Sequence, residues 1–337
     1  MLAKDINILF RTAGGKATKK ELGLGHVYRC MNLASEFQKN KVFYLIEDYG
    51  GVKEIVTKNG YKSITLMKPN TSQIDEIDQI KKIIFENKIN VLVIDHFHFS
   101  KKIIDKIKSY CKIVSICDLN RKELPGNLVV NGFIGFKNKK IKNNFGTKCL
   151  LGPNYQILNK KFDNQILQKK KFDILITFGG FDEKNIIKLI GKTLSEELNK
   201  LRIKIILGPV SKTHNQIQDI VKQNQNKITI VKETKKMYKE IGSVKFGICS
   251  GGITTYEFAA KKIPFAIICD EKHQLLTAKI WHKKKIAKNF GIVDKNTPKK
   301  ISKLLLNFEE IRKELEVGNF VDGKGSKRIR DEILKMF

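Results

Sequence analysis

Residues 6–34 read INILFRTAGGKATKKELGLGHVYRCMNLA, an apolar run followed by a polar, glycine-containing loop and then an amphipathic stretch. The run Ile6–Phe10 has the length and composition of a buried strand, and the pattern from Val27 onward is typical of a helix. The sequence therefore predicts a strand, a loop and a helix in succession, with His26 at the point where the helix begins. Such junctions lie at the carboxyl edge of a parallel sheet, where α/β proteins usually bind ligands.

The whole chain alternates short apolar runs with longer helical patterns, which predicts βαβ units, parallel sheets and an α/β fold. We predict strands at Ile6–Phe10, Val42–Glu47, Val91–Asp95, Ile113–Asp118, Leu128–Asn131, Phe172–Phe178, Ile203–Leu207, Ile228–Val231, Phe246–Cys249 and Phe265–Cys269. We predict helices at Val27–Asn40, Ile74–Asn87, Lys184–Lys200, Asn215–Asn224, Thr254–Lys261, Gln274–Asn289 and Lys299–Glu316.

A chain of 337 residues, of which 41% are apolar, can fill two hydrophobic cores. The Lys- and Asn-rich stretch 137–148 is expected to be a surface loop, and the polar stretch 159–171 precedes a fresh series of strands and helices. We therefore expect a first domain over residues 1–158 and a second over residues 159–320. Residues 321–337 are expected to form a C-terminal helix that can return to the first domain.

The formal net charge of +31 raises the hypothesis of a nucleic-acid partner. The basic residues are spread along predicted helix faces without interleaved aromatic residues, so we favour a solvated surface and no nucleic acid. The same charge is expected to attract anionic substrates and to permit peripheral contact with an anionic membrane. The sequence has no run as long as a membrane span and no signal-peptide pattern at its start, so we expect a cytoplasmic protein. A monomer is favoured.

The cysteines form no C-x-x-C pair, and four of them lie in or beside apolar runs. We interpret them as small buried hydrophobic residues rather than disulfides or metal ligands. The six are Cys30, Cys111, Cys117, Cys149, Cys249 and Cys269.

Two segments of the first half carry chemistry. A helix amino terminus disfavours an imidazolium, so we expect the ring of His26 to be neutral and available as a base; capping of the helix is the structural alternative. The strand 91–95 ends in Asp95-His96-Phe97-His98. Side chains alternate along an extended chain, so Asp95 and His96 should point to opposite sides. Without a third clustered ligand we favour no metal; Asp95 is expected to orient His26 or a loop, or to form structural hydrogen bonds.

In the second half, a strand precedes the glycines Gly179 and Gly180 and then Asp182. The backbone N–H groups of the glycines suit a phosphate at the amino terminus of the following helix. A tight turn, with Asp182 capping that helix, explains the same residues.

A second strand of this half ends at Ser250-Gly-Gly-Ile-Thr-Thr-Tyr-Glu257. The N–H groups of Ser250, Gly251 and Gly252 suit a diphosphate, and Glu257 can accept hydrogen bonds from ribose hydroxyls. An ordinary helix start with an exposed glutamate is the alternative.

The stretch Asp270–Gln274 also follows a strand and precedes a helix, so its polar side chains can meet the glycosyl part of a substrate. Trp281 and His282, farther along that helix, are interpreted as a packing residue and a surface residue.

Several stretches occur together, in this order: FRTAGG and LGLGHVYRCMNLA, VIDHF, LLGPNYQIL, TFGGFD and CSGGITTYEFAAKKIPFAII. In combination and spacing they resemble the UDP-2,4-diacetamido-2,4,6-trideoxy-β-L-altropyranose hydrolases of pseudaminic acid biosynthesis, which are related to MurG-type glycosyltransferases. The resemblance covers roughly residues 6–292. It implies a GT-B fold, in which two Rossmann-like domains with parallel sheets face each other across a cleft.

The resemblance also implies roles for individual residues. His26 would activate water for attack on the anomeric carbon, the first domain would hold the sugar, and Glu257 would hold the ribose. UDP would lie against Gly179, Gly180, Ser250, Gly251 and Gly252. Further substrate contacts are expected from Gly25, Arg29, Asp95, His96, Thr254, His273 and Gln274. No metal and no cofactor are expected.

The chain departs from the family pattern on the sugar side of the expected site. Phe97 replaces the usual Tyr after Asp-His, and Leu119 replaces the second residue of the usual Asp-Asp. His273 replaces the Asn of the usual Asn-Gln, and the first loop is longer.

The sequence therefore favours a UDP-sugar hydrolase. Two alternatives stay open: a GT-B glycosyltransferase in which a hydroxyl replaces water, and a non-catalytic nucleotide-sugar-binding protein in which His26 is structural.

Overall fold

The computed structural model describes residues 5–15, 23–96, 99–163, 168–180, 182, 184–196, 201–208, 218, 220, 222–224, 226–316 and 318–337. The chain forms two compact units, one of Met1–Lys160 with Gly323–Phe337 and the other of Lys161–Asp322. Each unit is built on its own sheet, parallel apart from one strand pair, so the predicted α/β class is confirmed. Among the described residues, no helix is both long enough and apolar enough to cross a bilayer.

The described residues of the first unit form eight strands. They are β1 (Ile8–Gly14), β2 (Val42–Asp48), β3 (Ser63–Met67), β4 (Val91–Asp95), β5 (Lys112–Ile116), β6 (Leu128–Asn131), β7 (Lys139–Lys142) and β8 (Lys148–Leu151). The helices between them are α1 (Gly25–Ala34), α2 (Val52–Lys58), α3 (Gln73–Glu86) and α4 (Lys101–Ile107). The strand order is β3-β2-β1-β4-β5-β6-β8-β7, and only β7 runs antiparallel to its neighbour.

The alternation of side chains in this sheet determines which residues meet which helix. Leu92 and Ile94 of β4 belong to the core that contains Ile80 of α3 and Ile103 of α4. Asp95 follows Ile94 and therefore points to the opposite face, where α1 lies. Its backbone is paired with Thr12 of β1. The carboxyl edge of the sheet thus presents different side chains to α1 and to α3.

The expectation that residues 137–148 form a loop is wrong, because β7 and β8 form an antiparallel hairpin there. The side chains of β7 are mostly exposed, so the strand lacks the alternation of apolar and polar residues that predicts a strand from sequence. Only Ile141 of this strand packs against the core.

The turn of this hairpin is organised by the buried side chain of Asn143. Its Nδ2 donates to the carbonyls of Lys122 and Leu124 at 2.9 and 2.8 Å. Its Oδ1 accepts from the backbone N–H groups of Phe145 and Thr147, each at 3.0 Å. One polar side chain therefore satisfies four backbone groups.

In the second unit, the part of the chain that the structure describes forms six strands, all parallel. They are β9 (Phe172–Thr177), β10 (Ile203–Leu207), β11 (Ile228–Lys232), β12 (Val244–Cys249), β13 (Phe265–Cys269) and β14 (Ala287–Ile292), in the order β11-β10-β9-β12-β13-β14. The described helices are α5 (Ile186–Glu196), α6 (Met237–Gly242), α7 (Thr254–Ala260), α8 (Gln274–Lys283), α9 (Thr297–Leu306) and α10 (Phe308–Lys313). The predicted helix 215–224 lies mostly outside the described residues.

The ten predicted strands are present, four of them with the predicted bounds, while β3, β7, β8 and β14 were not predicted. The predicted helix Gln274–Asn289 is wrong in its second part. Lys285 adopts a left-handed φ of 54°, which ends α8, and Ala287 then pairs with Phe265 to begin β14. Because Ile286 and Ala287 are buried, the chain gains more by rejoining the sheet than by extending an exposed helix.

The C-terminal helix α11 (Gly325–Leu334) packs on the first unit, where it contacts α1. Ser326 Oγ donates to the carbonyl of Leu158 at 2.8 Å. The buried carboxylate of Glu332 accepts from Lys140 of β7 at 2.8 Å and from Lys148 of β8. The helix thus anchors the hairpin.

Replacing Asn143 with alanine is expected to lower the free energy of unfolding by about 2–3 kcal/mol, because four backbone groups lose their partner. Urea denaturation followed by circular dichroism measures this. Asn144→Ala is the matched control: that residue is exposed and donates to Glu123 through its backbone N–H, so the effect on the free energy of unfolding should stay within about 0.5 kcal/mol. Equal stability of the Asn143→Ala variant and the wild type would contradict the assigned role.

Candidate active site

The helix α1 begins close to the end of β1. A Cβ added at Gly14 would lie 2.7 Å from Val27 Cγ2, so the strand and the helix approach each other too closely for a side chain there. Gly25 has open space around its Cα and begins the helix. His26 and Arg29 follow one turn apart and therefore share the face of α1 that looks toward β4.

His26 and Asp95 form a hydrogen-bonded pair, with Nδ1 2.7 Å from Oδ1. Asp95 is fully buried, and burial raises the pKa of its carboxyl; the charges and hydrogen bonds of Arg29 and His26 outweigh burial and hold that pKa well below its ordinary value. Because a carboxylate only accepts, the proton of a neutral ring lies on Nδ1 and the lone pair on Nε2. The side chain of His26 is 18% exposed, which leaves it accessible to water.

Arg29 connects two carboxylates. Its Nε and Nη2 donate to the two oxygens of Asp95 at 2.7 and 2.6 Å. Its Nη1 and Nη2 donate to the two oxygens of Asp118 at 2.5 and 2.9 Å. Burial lowers the pKa of the guanidinium, but Asp118 and Asp95 raise it well above its ordinary value. Burial raises the pKa of Asp118, and the charge of Arg29 reverses this and lowers it.

His26, Asp95 and Asp118 offer ligand atoms within 4.8 Å of one another, a spacing that a metal ion can use. In this structure all four carboxylate oxygens already accept from Arg29. A divalent cation would have to displace the guanidinium, so the donor set fits an ion-pair network better than a metal site.

His96 lies on the other face of the sheet, as the alternation of side chains predicts. Its Nε2 is 3.2 Å from Glu47 Oε2, and the same oxygen accepts from the buried Arg11. Arg11 also donates to Glu76 of α3 at 2.6 Å. Burial raises the pKa of Glu47, but hydrogen bonds from His96, Tyr49 and the Asn70 backbone, with the charge of Arg11, hold it well below its ordinary value. His96 is thus separated from His26. Phe97 and His98 lie outside the described residues.

In the second unit, the turn after β9 fits the tight-turn interpretation. Gly179 has a φ of 72°. A Cβ at Gly208 would lie 2.3 Å from the carbonyl oxygens of Gly179 and Gly180, so the backbones of these three glycines approach too closely for a side chain at Gly208. Asp182 accepts from the N–H groups of Ile186 and Ile187 at 2.7 and 3.1 Å. The capping alternative for Asp182 is therefore confirmed.

In the turn after β12, the N–H of Gly251 donates to Gln274 Oε1 at 2.9 Å. A diphosphate would have to displace this amide oxygen to accept from Gly251, so the diphosphate contact of Gly251 stays a prediction. The two residues pack closely: a Cβ at Gly251 would lie 2.6 Å from Gln274 Cβ. The N–H groups of Gly252 and Thr254 have no acceptor among the described residues and still suit an anion. Ser250 is buried beside them.

Glu257 lies one turn into α7. Burial raises the pKa of its carboxyl to about 7, and a hydrogen bond from the Thr254 side chain opposes the rise only in part. Near neutral pH this group therefore changes between an acid, which can donate a hydrogen bond, and a carboxylate, which only accepts.

The remaining candidates lie around α8. His273 is exposed at its start, and Asp270 Oδ1, at the end of β13, is buried without a partner in the described ranges. Trp281 packs against Tyr256 and Phe265, and His282 is exposed, as interpreted from the sequence. Five cysteines are buried and Cys111 is partly buried, all as free thiols.

Sequence reasoning did not assign Asp118, nor the buried group of Arg11, Glu47 and Glu76. For Asp118 a signal existed, because a carboxylate follows the strand next to β4 and so reaches the same edge as Asp95. For Arg11, Glu47 and Glu76 no such signal existed, because an arginine inside a strand pattern does not indicate which distant carboxylates it contacts.

Asp95→Asn is expected to lower the free energy of unfolding by about 3 kcal/mol near pH 7, because Arg29 loses a buried partner. Asp95 has a folded-state pKa below its ordinary 3.8, so its contribution is present above that value and disappears as the pH falls below it. Urea denaturation from pH 7 down to pH 3 should therefore show the deficit shrinking. The exposed Asp78→Asn serves as control; a deficit independent of pH would contradict the ion-pair assignment.

No protein-family profile matches the chain. It is 29% identical over 274 residues to an uncharacterised protein of Methanocaldococcus jannaschii, a match that covers 75% of the chain but only 54% of that relative. The chain thus spans about half the length of this relative.

Two relatives match over most of their length. The spore coat polysaccharide biosynthesis protein SpsG of Bacillus subtilis is 24% identical over 327 residues, which cover 92% of the chain and 93% of SpsG. The UDP-2,4-diacetamido-2,4,6-trideoxy-β-L-altropyranose hydrolase of Campylobacter jejuni is 25% identical over 297 residues, which cover 83% of the chain and 97% of that enzyme.

Among solved structures, MurG of Acinetobacter baumannii superposes with a TM-score of 0.65 at 13% identity, over 98% of this chain and 100% of its own. The UDP-GlcNAc 2-epimerase of Neisseria meningitidis gives a TM-score of 0.62 at 12% identity, with coverage of 98% and 100%. These likenesses confirm the GT-B fold. The resemblance to the UDP-diacetamido-trideoxy-altropyranose hydrolases is confirmed as well: the chain is a distant relative of that enzyme and of SpsG, on the fold of MurG.

Proposed function

We propose that the chain is an enzyme that hydrolyses a UDP-activated 2,4-diacetamido-trideoxy hexose, or a closely similar nucleotide sugar, in nonulosonic acid biosynthesis. The observation that carries the proposal is the pair formed by His26 and the fully buried Asp95, which leaves a lone pair on Nε2 of a partly exposed ring.

The reaction needs few catalytic side chains. Nε2 of His26 takes a proton from water, the water oxygen forms a bond to the anomeric carbon, and the bond from that carbon to the diphosphate breaks. The electron pair leaves with UDP, and the sugar is released with inverted configuration. A positioned general base contributes about 10²–10⁴-fold, and UDP is already a stabilised leaving group.

Asp95 has two tasks in this scheme. It holds the ring in the tautomer with a free Nε2, and its negative charge stabilises the imidazolium formed when water loses its proton. A protonated carboxyl would carry no charge to stabilise the imidazolium, and the charge of Arg29 keeps Asp95 ionised.

The second unit supports the nucleotide half of the proposal. The N–H groups of Gly252 and Thr254, which have no acceptor in the described part of the chain, suit phosphate oxygens. Glu257, one turn farther along the helix, would accept from the ribose hydroxyls. The relative named as a UDP-sugar hydrolase and the relative named for polysaccharide biosynthesis support the same substrate class.

A glycosyltransferase is the second candidate, favoured by the likeness to MurG. The same base would then take a proton from an acceptor hydroxyl instead of water. The two functions separate in an assay without acceptor, where only a hydrolase forms free UDP and free sugar.

His26→Ala is expected to lower kcat for UDP release by at least about 100-fold while changing KM little, because Nε2 acts on water and not on substrate binding. The assay uses purified protein with the diacetamido UDP-sugar and no acceptor. The exposed His282→Gln is the matched control and should keep wild-type turnover. Normal turnover of His26→Ala would refute the proposal.

Nucleotide-sugar affinity is expected to rise roughly tenfold between about pH 6 and pH 8, because only the carboxylate form of Glu257 can accept from both ribose hydroxyls and its pKa is about 7. Isothermal titration calorimetry of a UDP-sugar on the His26→Ala variant measures this without turnover. Both phosphates of a UDP-sugar are esterified, so the charge of the ligand stays constant over this range. In the Glu257→Gln background the affinity should be weaker and flat; a flat wild-type profile would contradict the ribose assignment.

A further inference from the structure

Asp118 has no role in the scheme above, although it shares Arg29 with Asp95. We propose that Asp118 is a positioning residue that selects the basic tautomer of His26, by occupying an N–H of Arg29 that would otherwise donate to Nδ1. This inference rests on the proposed function for its catalytic consequence, but its structural part concerns the ring alone.

The first observation is the proximity of two nitrogens. Arg29 Nη2 lies 3.1 Å from His26 Nδ1, within hydrogen-bond distance. If Nη2 donated to Nδ1, that nitrogen would be an acceptor, and the ring proton of a neutral imidazole would move to Nε2. A ring with Nε2–H cannot take a proton from water at that atom.

The second observation is that both hydrogens of Nη2 have other acceptors. One is directed to Asp95 Oδ1 at 2.6 Å and the other to Asp118 Oδ2 at 2.9 Å. Both contacts are shorter than the 3.1 Å from Nη2 to Nδ1, so we assign the hydrogen bond of Nδ1 to Asp95 Oδ1 at 2.7 Å, with Nδ1 as the donor.

The third observation concerns what Asp95 can do alone. Asp95 accepts from Nε and from one hydrogen of Nη2, so it fixes the guanidinium but leaves the second hydrogen of Nη2 without an acceptor. Among the described residues, Asp118 is the acceptor of that hydrogen, and it also accepts from Nη1. Of the two carboxylates, Asp95 therefore holds the ring and Asp118 prevents the competing bond.

The test is the tautomer of His26, read from two-dimensional ¹H–¹⁵N spectra of the imidazole in full-length protein above about pH 8. The His26 signals are identified by their loss in His26→Gln. The wild type should show protonated Nδ1 and unprotonated Nε2. Asp118→Ala should convert a large share of the ring to the Nε2–H form and, in the hydrolysis assay, lower kcat about tenfold with KM nearly constant.

The conservative variant separates hydrogen bonding from charge. Asp118→Asn keeps an oxygen that can accept from Nη2 but removes the charge, so it should restore the Nδ1–H pattern and most of the lost turnover. Asp105→Ala is the matched control, because this carboxylate also binds one cation and its side chain is 39% exposed, against 41% for Asp118. It should change neither readout.

The outcomes are distinguishable. An unchanged Nδ1–H pattern in Asp118→Ala, or an Nε2–H pattern in Asp118→Asn equal to that in Asp118→Ala, overturns the inference whatever the enzyme does. If Asp118→Ala does not fold, Asp118→Leu takes its place with the same expectation, because leucine likewise offers no hydrogen-bond acceptor. If the tautomer changes as expected but the wild type releases no UDP from any UDP-sugar, the proposed function is refuted and the structural inference stands.

Discussion

The site of the first unit depends on the burial of one negative charge. Asp95 has no contact with water, so its ionised form exists only because Arg29 and His26 lie against it. The same contacts that make the charge tolerable also fix the orientation of the imidazole. Stability and chemistry therefore have a common origin here, because His26 and Arg29 together compensate the buried carboxylate.

Residues that are adjacent in the sequence point to opposite faces of the sheet of the first unit. Asp95 and His96 are neighbours in the chain, yet one serves α1 and the other belongs to the cluster of Arg11, Glu47 and Glu76 beside α3. Each carboxyl edge of a parallel sheet thus offers two chemically independent surfaces. The second unit uses its edge differently, with turns of small residues and few charges near backbone N–H groups.

Much of the fold follows from the sequence, because buried parallel strands are continuous apolar runs; Val91–Asp95 and Phe265–Cys269 were predicted with their observed bounds. β7 and β14 were not predicted, because β7 is an exposed edge strand and β14 directly follows a helix, and neither has a continuous apolar run. In the site, the pairing of His26 with Asp95 follows from strand and helix positions. The sharing of Arg29 by Asp95 and Asp118, and the hydrogen bond from the Gly251 N–H to Gln274, depend on side-chain distances that no sequence pattern encodes.

The hairpin at the end of the eight-stranded sheet has a consequence for the behaviour of the protein in concentrated solution. β7 is an edge strand that pairs on one side only among the described strands, and three of its four residues are lysines: Lys139, Lys140 and Lys142. A second molecule that docked edge to edge would bring two rows of ammonium groups together. The positive charge that suggests polyanion binding therefore also opposes aggregation of the protein through the exposed edge of this sheet.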